Sequence, residues 1–411
     1  MTDNHQAFSK HLFLLMAMII FIGIAGFIAS DMYAPALPII TLAFNTTPRI
    51  IQFTAAIYIL SFSISQLFYG PLSDRFGRLP ILKIGLIIYI LGSALAFSAH
   101  NIEQFIAGRL VQGLGVGATF SLVRSMLRDI FSGEQLAKAV SYIALAFAVT
   151  PAVAPVIGAY MTDWFNWRSL FLFMLGYGFI AWLLVMYLLP ETNKTPNKEG
   201  LQVKIILQNY ATLLTHRPFM SYVITASMAT SSLIVYYIMT PFLYQNVLGV
   251  TVIQNGWLTV AITGVILLSR GLNIYLARQV AVNQIIFYCS VLMLASAAVL
   301  LLLSLCGIFT IGSILIPMIF YILGSSLILP NAMAGSLKPF KHMSGTASAL
   351  YGSAQMFGCF IATSVASSLH QDSALIFSLL MITMAAITFF TFFLFFQFFH
   401  LIIGILTHSR L

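Results

Sequence analysis

The chain has 411 residues, of which 60% are hydrophobic and only 7% charged, and its mean hydropathy is +0.98. Soluble domains are roughly half apolar and about a quarter charged, so this composition excludes a water-soluble globule and describes an integral membrane protein. The net charge of +9 does not call for a nucleic-acid partner, because the basic residues fall between apolar runs, where membrane orientation accounts for them.

Lys10 ahead of an apolar run has the look of a secretory leader, but further apolar runs of similar length follow, so this run is read as a retained first span. A membrane helix needs roughly 20 mainly apolar residues. By that rule the first six spans are expected near residues 12–34, 50–72, 80–99, 103–126, 138–161 and 169–190. The polar stretch PETNKTPNKEGLQVK interrupts, and six more follow near 218–244, 254–276, 283–306, 309–331, 345–368 and 373–398. The expected fold class is an all-α membrane protein with twelve transmembrane helices in two six-helix bundles, residues 1–190 and 218–411, joined by a cytoplasmic connector at 191–217.

If the N-terminus is cytoplasmic, the outer loops hold only Arg49 and Arg168, and every other basic residue except Arg109 falls on the inner side, Arg270 and Arg278 among them. The positive-inside rule then places both termini in the cytoplasm. Two charges are left within the spans, Asp31 in the first and Arg109 in the fourth. Charges at membrane depth are expensive and usually find a partner or face a cavity. Asp31 could instead end its helix, since Pro35 and Pro38 follow, and Arg109 could snorkel outward. The apolar run resumes as ALPIITLAF, however, which suggests a kinked span with Asp31 deeper inside. Both charges then fall in the outer half of the membrane and could share one cavity.

The loop after the second span reads GPLSDRFGRLP. Gly70 and Gly77 are expected to permit a tight turn, with Arg75 and Arg78 on the inner surface. Asp74 needs a positive partner, for which the eleventh-span N-terminus capped by Ser344 is available, as are Arg124 and Arg128. A charge pair between the halves, made in one state and broken in another, would act as a gate. In the fifth span, AVTPAVAPVIGAY, Pro151 and Pro155 each remove a backbone donor while Gly158 lets a neighbour approach closely. Tyr58, Gln66, Gln112, Tyr236, Tyr237 and Asn331 are polar groups within apolar runs, open either to a substrate cavity or to hydrogen bonding between helices. The three cysteines, Cys289, Cys306 and Cys359, lie in apolar runs without CxxC spacing and read as packing residues. Neither HExxH nor a P-loop occurs, so no metal, cofactor or directly ATP-driven chemistry is expected, and the chain is not read as an enzyme.

The segment from Gly70 to Arg78 resembles the loop signature of the major facilitator superfamily. RLVQGLGVGA, from Arg109, resembles its fourth-span signature, and TPAVAPVIGA its fifth-span antiporter signature, with Ala154 and Ala159 where glycines are usual. SDMYAPALP together with YGPLSDRFGR is most similar to the Bcr/CflA branch of twelve-span drug:H+ antiporters. The matching segment SRGLNIYLARQV, read as the loop between spans eight and nine, lacks the Asp-Arg-x-Gly core. The resemblance implies two bundles around a central cavity and alternating access in the inner membrane. It further implies Asp31 as the proton-carrying acid, Arg109 in coupling, and the fifth-span prolines and glycine in exchange. The expected partners are protons, the lipid bilayer and a small lipophilic or cationic substrate exported by a likewise expected monomer. The alternatives are a dedicated exporter of an endogenous metabolite, such as a siderophore or a sugar, and a sensor built on the same frame.

Overall fold

A computed structural model describes residues 2–193, 203–369 and 373–408. Lys194, Lys198 and Glu199 of the connector, the Ser344 side chain, Asp372 and Arg410 lie outside the described residues. Every regular element described is helical. In a hydrocarbon medium this follows from the backbone itself, because a helix satisfies its own N–H and C=O groups without water.

Among the described residues, twelve helices are long and apolar enough to cross a membrane. Spans one to six are Phe13–Ala43, Pro48–Phe76, Arg78–Phe97, Ile102–Ile130, Lys138–Trp164 and Arg168–Tyr187. Spans seven to twelve are Arg217–Val247, Val252–Gln279, Val282–Leu305, Ile311–Phe340, Thr346–Ser368 and Ala374–Leu394. Their ends carry ordinary helix signals. Asn101 caps the fourth span by accepting from the Gln104 N–H, and Thr310 and Ser313 form a reciprocal capping box at the tenth. Pro48 stands in the first turn of the second, where its missing N–H costs nothing. The connector contains a further helix, Val203–Thr215.

The first span is broken. Its helix stops at Asp31, passes through a 3-10 turn at Ala34–Ala36, and resumes over Leu37–Ala43. Pro35 and Pro38 stand in the first turns of the two short elements after the break, where they need no donor. The span therefore runs on to Ala43, and Asp31 is buried well inside it rather than at a wetted end.

Packing divides the chain into two units. One is Met1–Val203 with Val250–Thr263, and the other is Lys204–Gly249 with Gly264–Leu411. In the first, the fourth span packs on the second and third, and the third on the sixth. In the second, the ninth packs on the tenth and twelfth, and the seventh on the tenth, eleventh and twelfth. The pairings three-on-four and three-on-six recur as nine-on-ten and nine-on-twelve. The segment SRGLNIYLARQV is not a loop: the eighth helix continues through Gln279, so Arg270 and Asn273 are helical residues. No glycine of positive φ or helix-stopping proline interrupts that stretch, whereas Gly77 does so in the first half.

Candidate functional site

The fourth span brings Arg109 fully inside the first unit. It does not snorkel. Its Nη1 donates to the Ala29 carbonyl at 2.9 Å and to Gln112 Oε1 at 2.5 Å. Its guanidinium carbon lies 4.2 Å from the Tyr33 ring centroid and 4.3 Å from that of Tyr58. Two π faces thus add to these hydrogen bonds, while Nε and Nη2 are buried without a hydrogen-bond partner among the described residues. Gln112 is held in turn by Ser93 and Met174, its Nε2 donating to Ser93 Oγ at 2.9 Å. The Tyr58 hydroxyl donates to the Gly26 carbonyl at 2.8 Å. Arg109, Tyr58 and Gln112 therefore form one network that grips the first span on both sides of Ile28.

Asp31 sits two residues beyond the Ala29 carbonyl. It accepts a hydrogen bond from Ser30 Oγ and makes no ion pair with Arg109. Tyr58 lies within electrostatic range of both charges. The two residues expected to act together are thus not joined in a salt bridge: Arg109 holds the backbone at Ala29, two residues before Asp31.

The fifth span meets the break from another side. A methyl group on Gly158 would stand 1.8 Å from the Met32 carbonyl oxygen, so only glycine allows this approach. Pro151 and Pro155 lie within a helix that continues from Gly133 to Trp164. The Gly158 carbonyl accepts from Thr162 Oγ1 at 2.7 Å.

At the other end of the second span, three expectations are corrected. Gly70 is inside the helix and the turn rests on Gly77 alone, at φ +96°. Arg75 is exposed, as expected, beside the Phe76 ring. Arg78, by contrast, is buried and not on the surface. It, rather than Arg124 or Arg128, pairs with Asp74, Nη1 to Oδ1 at 2.5 Å, because the turn at Gly77 sets the start of the third span beside the end of the second. The Arg78 Nε reaches Asp129 Oδ2 at 2.9 Å and its Nη1 reaches Ser73 Oγ at 2.7 Å. Sequence reading missed a further layer, although PETN marked its place. Glu191 accepts the backbone N–H groups of Arg78 and Leu79 at 2.9 and 3.0 Å, capping the third span. Thr192 donates to Asp129, and Asn193 Nδ2 to the Asp74 carbonyl at 3.0 Å. Three consecutive residues thus tie together the ends of the second, third, fourth and sixth spans.

The remaining candidates are buried. Gln66 Nε2 has no hydrogen-bond partner among the described residues. Tyr236 packs its ring against Tyr237 and Phe377. Asn331 donates to Asn273 Oδ1 at 2.6 Å and to the Leu327 carbonyl, a bond between the tenth and eighth helices. Among the described residues no cluster of His, Cys, Asp and Glu is placed to hold a metal ion.

Known proteins match this arrangement in sequence and in fold. The chain is 30% identical over 344 residues to a bicyclomycin resistance protein homolog of Haemophilus influenzae, covering 84% of this chain and 86% of that one. It is 26% identical to multidrug resistance protein D of Escherichia coli, over 90% of this chain and 92% of the relative. Among solved structures, the inward-open xylose transporter XylE of E. coli superposes with a TM-score of 0.72 at 14% identity, covering 92% of this chain and 95% of that one. The family model for the Major Facilitator Superfamily matches residues 19–363. With twelve spans, a broken first helix and the fourth- and fifth-span residues packed onto it, the chain belongs to the Major Facilitator Superfamily.

Proposed function

We propose that the protein is a proton-coupled exporter of small lipophilic or cationic compounds, working by alternating access in the inner membrane with both termini cytoplasmic. The observation that carries this reading is Asp31, a buried carboxyl at a helix break, with no basic side chain bound to it among the described residues. An acid so placed is free to hold either a proton or the positive charge of a cargo, and the two compete for it. A proton entering from outside releases about 2.3 kcal/mol per 100 mV in addition to the pH gradient, and that energy drives the exchange.

Arg109 and Tyr58 hold the strand of first-span backbone from which Asp31 projects. Gly158 lets the fifth span support the same break from behind. The cluster of Asp74, Arg78 and Asp129 serves as part of the inner gate, with Glu191 and Asn193 fixing the turn. Resistance-protein names among the relatives support an exporter of toxic compounds over an importer.

The test is flux in proteoliposomes with an imposed pH gradient and ethidium as probe. Wild type accumulates the dye against its gradient. Asp31→Asn is expected to abolish uphill accumulation while retaining downhill movement. Full gradient-driven accumulation by this variant would overturn the assignment.

A further inference from the structure

Acid and base are distributed unevenly along the chain. From Val203 onward there is one acid, Asp372, against seven basic residues: Lys204, Arg217, Arg270, Arg278, Lys338, Lys341 and Arg410. Asp372 falls between spans eleven and twelve, outside the described residues. Among these residues, Arg270 stands farthest from the end of the span that holds it. It is half-buried, its Nε has no accessible surface, and the side chain makes no hydrogen bond or ion pair among the described residues.

The other buried arginines show what such a group needs. Arg78 has two carboxylates. Arg109 has a carbonyl, a carboxamide and two aromatic faces, although its Nε and Nη2 have no hydrogen-bond partner among the described residues. Arg270 has none of these, although a guanidinium carries five donors in a rigid fork. One turn along the same helix face, Asn273 gives its Oδ1 to Asn331, which leaves its own Nδ2 as a further donor. Donors thus collect here without an acceptor.

Depth and surroundings identify the acceptor. Between Val252 and Arg270 the helix rises about 27 Å, close to the roughly 30 Å of a hydrocarbon core. Arg270 therefore stands just inside one membrane boundary, within reach of lipid phosphates. Its neighbours Leu268, Leu272, Ile274 and Tyr275 are exposed apolar side chains, as suits contact with acyl chains. We infer that Arg270, assisted by Asn273, is an oxyanion site that takes the phosphodiester of a membrane lipid. The same fork fits a carboxylate carried on a cargo molecule, and the two sources are separable by experiment.

Native mass spectrometry of the purified full-length protein, titrated with phosphatidylglycerol or with diacylglycerol of the same chains, measures the lipid. Fluorescence titration with 2-naphthoate measures the free carboxylate. Arg270→Ala is expected to weaken phosphatidylglycerol binding at least tenfold and leave diacylglycerol unchanged. Arg270→Lys should lie between the two, keeping the charge without the fork. Arg278→Ala, an exposed arginine on the same helix, should behave as wild type. A tenfold loss confined to naphthoate supports the site and assigns its oxyanion to cargo. Unchanged binding of both probes in an Arg270→Ala protein that elutes as a single folded species overturns the inference. Arg270→Gln, which keeps hydrogen-bonding capacity, provides a second folded variant should alanine aggregate.

Discussion

Asp31 and Arg109 are the two ionisable side chains that composition singles out within the first six spans, and both are buried where a membrane makes charge costly. Their relation was not legible. Opposite charges in neighbouring helices suggest a salt bridge, but Arg109 is compensated by the rings of Tyr33 and Tyr58 and by two acceptors. Tyr33 was missed because an aromatic residue in an apolar run gives no sign of which cation it will face. Because Asp31 has no ion pair to lose, Asp31→Asn should unfold within a few degrees of wild type in detergent even as uphill transport disappears. Arg109→Ala should behave differently. It leaves Gln112 Oε1 and the Ala29 carbonyl without their donor, at about 1–3 kcal/mol for each buried group, and opens a space between two tyrosines. A fall in melting temperature together with lost transport is expected. Arg109→Lys should not restore either, since a point charge lacks the planar fork that spans both acceptors and rings.

Helices and loops were legible to different degrees. Spans follow from runs of about twenty apolar residues, and their existence needs no tertiary information. Where local chemistry is ambiguous, packing decides. SRGLNIYLARQV holds an arginine, a glycine and an asparagine and reads as a loop, yet it stays helical, with Asn273 tied to Asn331. PETN reads as the start of a polar connector, yet Glu191 caps a helix distant in sequence. Such a bond cannot be seen from either strand of sequence alone. Glu191→Ala should cost about 1 kcal/mol through the lost cap, read as a lower melting temperature, and should slow transport if the turn belongs to the gate. Gly158→Ala tests the fifth span. With a Cβ only 1.8 Å from the Met32 oxygen, either the break or the fifth span must shift, at about 1–3 kcal/mol. Reduced thermal stability and impaired coupling are expected, whereas Gly176→Ala, where no atom lies within 4 Å, should be silent in the same two assays.

At the scale of the whole chain, one polar interruption leads to the expectation of two six-span halves, whereas packing divides the chain into units that each take part of the eighth span. The placement of Val250–Thr263 with the first unit was not legible, because it depends on small contacts such as Gly256 against Ala159 that no periodicity reveals. Matching helix pairings in the two halves make the frame nearly repetitive, as doubling of one ancestral unit would. Its chemistry is not doubled. Nine of the ten acids precede Val203, so a cation-seeking or proton-holding role has somewhere to reside in one half and almost nowhere in the other. Under the proposed coupling scheme, the carboxylates that could carry a proton therefore come almost entirely from the first half, and the second meets its ligands through basic, amide and hydroxyl groups.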